Sequence, residues 1–123
     1  TQLIATDFNP PMLDLARSKF RLGEQVSFQP ADATALPFGN QGFDAVVCQF
    51  GLMFFPDKAK SFSEACRVLV PGGNFLGKIF QGGDFPLAHK AVREAFTQTK
   101  IVKPDASRSV SVEIFLVGLG RKA

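Results

Sequence analysis

Residues 43–80, FDAVVCQFGLMFFPDKAKSFSEACRVLVPGGNFLGKIF, read as a complete strand, helix, strand unit with both of its turns. Ala45 to Gln49 is a short valine-rich apolar run and Asn74 to Phe80 is a second, each of strand length. Between them Asp57 is the expected N-cap, and Ala59, Phe62, Cys66 and Leu69 recur at helical spacing as one apolar stripe. Pro71-Gly72-Gly73 is expected to stop that helix and turn the chain. Two strands joined through a helix run parallel with a right-handed crossover, and a parallel sheet needs cover on both faces. The fold class is therefore α/β.

Upstream, Leu3 to Thr6 is a short strand ending on Asp7. Asn9-Pro10 opens a helix expected to run to about Leu22, with Met12, Leu15, Ala16 and Phe20 as its buried face and Gly23 beyond its end. Val26 to Gln29 is the next strand, followed by a loop from Pro30 to Asn40. Downstream, Gly82-Gly83 precedes a helix expected from about Asp84 to Thr97, where Ala88, Val92 and Phe96 share a face. Lys100 to Lys103 and Val112 to Leu119, separated by the polar loop Pro104 to Ser111, read as a terminal hairpin. The expected architecture is one domain over residues 1–123 with a mostly parallel sheet and an antiparallel C-terminal hairpin.

A chain of 123 residues can bury a real core as one domain. The net charge of +3 is unevenly placed: residues 1–80 hold seven basic and seven acidic side chains, and residues 81–123 hold seven basic against four acidic. The basic C-terminal part suits either RNA or an ordinary solvated surface. Cys48 and Cys66 have neither a zinc spacing nor a secreted disulfide pattern, so no metal is expected and a reducing, cytoplasmic setting is. No charged leader opens the chain, and the apolar run from Ala45 to Phe55 is too short to span a bilayer, so no membrane partner is expected. The chain starts on Thr1 directly in a strand, which suggests a missing upstream piece. Fourteen phenylalanines without tyrosine or tryptophan supply aromatic bulk without polar handles, which favours a core.

In an open parallel sheet the ligand crevice lies outside the carboxyl ends of the strands. Asp7 and Asp32 both occupy such places. One carboxylate there can accept from a ribose diol and the other from an adenine amine; each alone reads more readily as a cap or loop aspartate, and the two together favour a nucleotide cofactor. Lys78 places an ammonium within an apolar strand, where it must reach an edge or find a partner. Glu113 alternates with apolar residues in the last strand, the pattern of a solvent-facing side chain. Lys103 and Arg108 flank a serine-rich loop able to touch phosphates or simply face water, and His89 reads as a surface residue.

The segments ATDFNPPMLDLA, ADATALPF, FDAVVCQFGLMFF and RVLVPGGNFL together resemble the later motifs of class I S-adenosylmethionine-dependent methyltransferases, notably the quinone-biosynthesis C-methyltransferase branch. The resemblance covers residues 3–80 and implies a Rossmann-like methyltransferase sheet. It assigns Asp7 to the cofactor ribose, Met12 to packing near the adenine, Asp32 to the adenine amine and Ala33 to a backbone contact, with S-adenosyl-L-methionine as the cofactor.

A second resemblance overlaps the first. VLVPGGNFLGKIFQGGDF and KPDASRSVSVEIFLVGLGRK are similar to the end of FtsJ-type ribosomal RNA 2′-O-methyltransferases. It implies catalytic roles for Lys78 and Glu113 around a ribose hydroxyl, a lysine helping to deprotonate it and a carboxylate orienting the amine. Gln49 stands where that family has an aspartate, and the family's first lysine would precede Thr1.

The methyltransferase resemblance also implies a first strand and a glycine-rich cofactor turn ahead of Asp7, which this sequence lacks. That strand would lie mid-sheet, between the strands at residues 3–6 and 45–49. The implied reading is a truncated or recombined methyltransferase, a fragment or chimera joined near the shared PGG turn, weak or inactive alone. An RNA ribose methyltransferase and a non-catalytic scaffold, dimeric through its sheet edges, are the alternatives.

Overall fold

The computed structural model describes residues 2–21, 23–48, 57–80, 85–103 and 113–123. The element order is β1 (Leu3–Asp7), α1 (Pro10–Arg17), β2 (Val26–Pro30), β3 (Phe43–Cys48), α2 (Lys58–Val68), β4 (Leu69–Phe80), α3 (Phe85–Ala95), β5 (Phe96–Val102) and β6 (Glu113–Arg121). The expected α/β architecture is present, divided between two sheets. β1 and β2 pair in parallel, and the other strands form a mixed sheet in the order β3-β4-β6-β5. In the larger sheet β3 and β4 are parallel and β6 runs against both β4 and β5, which gives the antiparallel C-terminal hairpin. Neither β1 nor β3 has a second ladder partner among the described residues. Those are the two strands that the resemblance sets on either side of the absent one.

The central unit forms as its sequence directs. Asp57 caps α2, its Oδ1 accepting from the Lys60 amide at 3.0 Å. The helix buries Ser61, Ala65 and Val68, while Ala59 of the expected stripe is exposed. Pro71-Gly72-Gly73 does not separate helix from strand. The helix ends at Val68, and β4 begins at Leu69 and runs through the triplet. The pairing with β3 absorbs the extra residues in a register shift between Phe43↔Leu69 and Ala45↔Asn74. Gly72 takes φ 84°, and a Cβ on Gly73 would sit 3.0 Å from the Val70 carbonyl oxygen and 3.1 Å from that of Asp44, so the irregularity needs both glycines.

Strand alternation decides which face is covered. Phe75 and Ile79 of β4 and Ile114 and Leu116 of β6 point under α2 and α3, where they meet Ala65, Leu69, Val92 and Phe96. Each large side chain so buried contributes about 1.5–3 kcal/mol relative to exposure. The register places Val47, Leu76, Lys78, Phe80, Glu113 and Phe115 on the opposite face. Val47 there is 63% exposed.

Two helices differ from expectation. α1 ends at Arg17 rather than near Leu22, because Ser18 Oγ donates to the Leu15 carbonyl and the Lys19 and Phe20 amides donate three residues back, tightening the chain out of α geometry. It buries Leu13 alone; Met12, Leu15 and Phe20 are exposed, since α1 packs on just the two-stranded sheet. α3 ends at Ala95, and Phe96, expected on its apolar face, is instead the first residue of β5. The run TQTKIV that follows pairs with β6, and this ladder overrides helical continuation. No helix among the described residues is long and apolar enough to cross a membrane. Gln49, Arg108, Gly82 and Gly83 lie outside the described residues.

Candidate cofactor and acceptor site

Asp7 ends β1 opposite Pro30, the last residue of β2, and the Ala31 amide donates to the Asp7 carbonyl at 3.1 Å. Asp32, two residues beyond Pro30, therefore leaves the same carboxyl end of the same parallel pair as Asp7. Both side chains are exposed. Asp7 Oδ1 accepts from the Asn9 amide at 2.8 Å, which fixes the start of α1. Asp32 Oδ1 accepts from the Thr34 hydroxyl at 2.7 Å and the Thr34 amide at 2.9 Å. The Thr34 hydroxyl, then its amide, hold the Asp32 carboxyl below its ordinary value, so it is an acceptor at neutral pH. Each turn occupies one oxygen and leaves Oδ2 for a ligand.

Met12, on α1 just past Asp7, is 52% exposed, and Ala33 sits between Asp32 and Ala35, whose amide donates back to the Asp32 carbonyl at 2.9 Å. An adenosine asks for an acceptor pair at a diol, an acceptor at an exocyclic amine and an apolar surface for the base. Asp7 and Asp32 fit that demand in chemistry and in their common strand-end position, and Met12 adds an exposed apolar side chain on the helix that follows β1.

The loop bearing Asp32 is tied to α2 by two residues that pattern reading overlooked. Arg67 Nε donates to Glu64 Oε2 at 2.6 Å and its Nη2 to Glu64 Oε1 at 3.0 Å. The same guanidinium reaches the Phe38 carbonyl at 2.8 Å, the Leu36 carbonyl at 3.0 Å and Asn40 Oδ1 at 2.9 Å, while Glu64 Oε1 accepts from the Leu36 amide at 2.8 Å. Gln41 and Gly42 amides then donate to the Arg67 and Val68 carbonyls. The Arg67 hydrogen bonds hold the Glu64 carboxyl below the usual glutamate range despite the opposing effect of burial. An acid and a base three apart on a helix was the visible signal; that they clamp a loop was not.

Lys78 and Glu113 meet on the open face of the larger sheet. Lys78 Nζ lies 3.0 Å from Glu113 Oε2 and 5.8 Å from the centroid of the Phe115 ring, directly across the ladder. β4 is paired on both sides, so Lys78 finds its partner within the sheet instead of snorkelling to an edge. Glu113, read from alternation as solvent-facing, is 40% exposed and ion-paired. His89 is half-buried with its ring stacked on Phe85 at 5.5 Å, so it is less superficial than expected. The structure thus joins Asp7 with Asp32 at one strand end and Lys78 with Glu113 on one sheet face.

Known proteins divide along the same line. The family described as a methyltransferase domain matches residues 1–77, and the family described as FtsJ-like methyltransferase matches residues 58–121. A demethylmenaquinone methyltransferase of Thermus thermophilus is 46% identical over 76 residues, 61% of this chain and 34% of its own length. A ribosomal RNA large subunit methyltransferase E of Desulforapulum autotrophicum is 45% identical over 73 residues, 54% of this chain and 36% of its own. The chain spans about a third of the length of these curated relatives. Among solved structures, the CurJ carbon methyltransferase superposes with a TM-score of 0.83 at 16% identity, over 99% of this chain and 42% of that one, a likeness of fold. Each family match spans more than half of the chain and both are to methyltransferases: the chain belongs to the class I S-adenosylmethionine-dependent methyltransferases.

Proposed function

We propose that this chain is the adenosine-holding and acceptor-side portion of an S-adenosylmethionine-dependent methyltransferase, recombined from two branches of the family. The observation that carries this reading is the register Asp7↔Pro30, which brings two carboxylates to one end of adjacent parallel strands. Asp7 accepts from the ribose diol, Asp32 from the adenine amine, and the exposed Met12 side chain packs against the base beside the Ala33 backbone. When bound, S-adenosylmethionine supplies an electrophilic methyl group. The protein's part is positioning an acceptor over the strand ends, a contribution worth several kcal/mol of barrier when geometry is held. The overlap of the two family matches at residues 58–77 supports a junction within α2 and the start of β4.

The grip is incomplete in this chain. Both aspartates stay exposed, and the cavity between α2, α3 and the larger sheet is lined by neither. Calorimetric titration with S-adenosylhomocysteine should therefore give affinity weaker than micromolar and methyl transfer should be slight; micromolar binding would refute this account of the site. The spacing of Cys48 and Cys66, neither a zinc pattern nor a secreted disulfide framework, supports a reducing, cytoplasmic setting. The edges of β1 and β3, without a second ladder among the described residues, support pairing between copies, which sedimentation at rising concentration tests.

The Lys78–Glu113 pair favours a second reading, methylation of an RNA ribose hydroxyl by the basic C-terminal part. There Lys78 helps to deprotonate the hydroxyl while Glu113 and the Phe115 ring fix the direction of its amine. General-base contributions run to about 10²–10⁴-fold, so Lys78→Ala should lower tritiated methyl incorporation into ribosomal RNA by at least about a hundredfold. Equal incorporation by both proteins removes Lys78 from the mechanism.

A further inference from the structure

On the helix-covered face of the larger sheet, away from Lys78 and Glu113, α2 and α3 diverge over a cavity of about 290 Å³. Its floor is Phe75 and Ile79 of β4 with Leu116 of β6, and Phe62 and Val92 form facing walls. The α3 residues that line it include Ala88 and Ala91, whose short side chains leave space that larger ones would fill. Close-packed interiors leave few voids larger than a water molecule, whereas small-molecule sites begin at roughly this size. Leu87, 72% exposed, stands at the mouth, so the cavity opens to solvent.

We propose that this cavity is a binding site for a small neutral aromatic molecule of one or two rings. A cavity of about 150 Å³ with an apolar lining holds benzene, so this one has room for roughly twelve heavy atoms. Aromatic character follows from Phe62 and Phe75, whose rings meet edge to face at 5.3 Å and offer a third ring the same geometry. Asp57 and Lys58 form a polar rim, an acceptor beside a donor, which suits a hydroxyl at the outer end of the ligand. None of these residues belongs to the proposed adenosine or ribose-hydroxyl sites, so the cavity's occupancy is independent of both.

The test is fluorescence titration with 2-naphthol, whose emission stands clear because the chain has no tryptophan or tyrosine, together with methyl NMR of the wild-type protein. Saturable one-to-one binding that shifts the Ile79, Leu87 and Leu116 methyls is expected, and Ala91→Leu, which fills the cavity, should weaken it at least tenfold. Unsaturable binding, shifts that leave those three methyls unmoved, or undiminished affinity in a folded Ala91→Leu protein overturns the proposal. If that variant fails to fold, the wild-type methyl shifts decide alone.

Discussion

Replacing Phe96 with alanine is expected to destabilise the fold by about 3–5 kcal/mol. Phe96 is 2% exposed and is the largest fully buried side chain among the described residues. Its ring lies 6.3 Å from both Phe62 and Phe75, so it joins α2, β4 and β5 in one aromatic cluster. The cluster has no slack on its far side, because a Cβ on Gly118 would fall 2.6 Å from the Phe96 ring. Alanine at position 96 therefore leaves a void that the ladder cannot close. Urea denaturation measures the loss, which is a large fraction of a typical domain's ~5–15 kcal/mol. Gly118→Ala alone should cost about 1–3 kcal/mol through overpacking. In the double variant the two losses should sum to less than their separate values, since the added methyl enters the space the ring vacates.

Arg67→Ala should give the second largest loss of stability, read as a lower urea midpoint. The substitution strips Glu64 of both its guanidinium hydrogen bonds and leaves the Leu36 and Phe38 carbonyls without their donor. Loosening residues 36–42 also frees the loop that presents Asp32, so nucleotide affinity should fall with stability. The same clamp sets a pH dependence. Because Glu64 titrates lower in the folded chain than in the unfolded one, its contribution is complete above the ordinary glutamate range. It is lost as pH falls through that range toward the folded value. Urea midpoints measured from pH 7 down to 3 should therefore decline more steeply for wild type than for Glu64→Gln; parallel curves would show that the pair adds nothing to stability.

The strand, helix, strand core was legible because local signals agreed there: valine-rich runs, an aspartate cap, and a glycine-containing stop. Even so, Pro71-Gly72-Gly73 became an irregular stretch of β4, since pairing with β3 through a register shift supplies the backbone bonds that a turn would leave open. Phe96 was misplaced for a related reason. Its spacing from Ala88 and Val92 is helical, but the partner that decides its state, Arg121 on β6, is 25 residues away by the pairing of 96 with 121. Met12, Leu15 and Phe20 have the period of a buried face and stay exposed, because periodicity reports an apolar stripe and not whether a second layer exists to cover it.

Of the site, Asp7 and Asp32 could be found from the rule that ligands gather at strand ends, and the structure sets them at one end. Lys78 stood out as an ammonium in an apolar strand, but family resemblance alone matched it with Glu113; their 3.0 Å contact depends on β6 returning antiparallel beside β4, a pairing that spacing in the chain does not specify. Arg67 escaped notice because its acceptors are carbonyls some thirty residues away, and carbonyls leave no mark in a sequence.

Amide NMR of the chain titrated with S-adenosylhomocysteine tests the central claim most directly. Fast-exchange shifts at Asp7, Asn9, Asp32 and Thr34 that saturate only well above micromolar ligand, and that vanish in an Asp7→Ala, Asp32→Ala double variant, are the predicted result. Shifts that spare the ends of β1 and β2, or that survive the loss of both carboxylates, would contradict it.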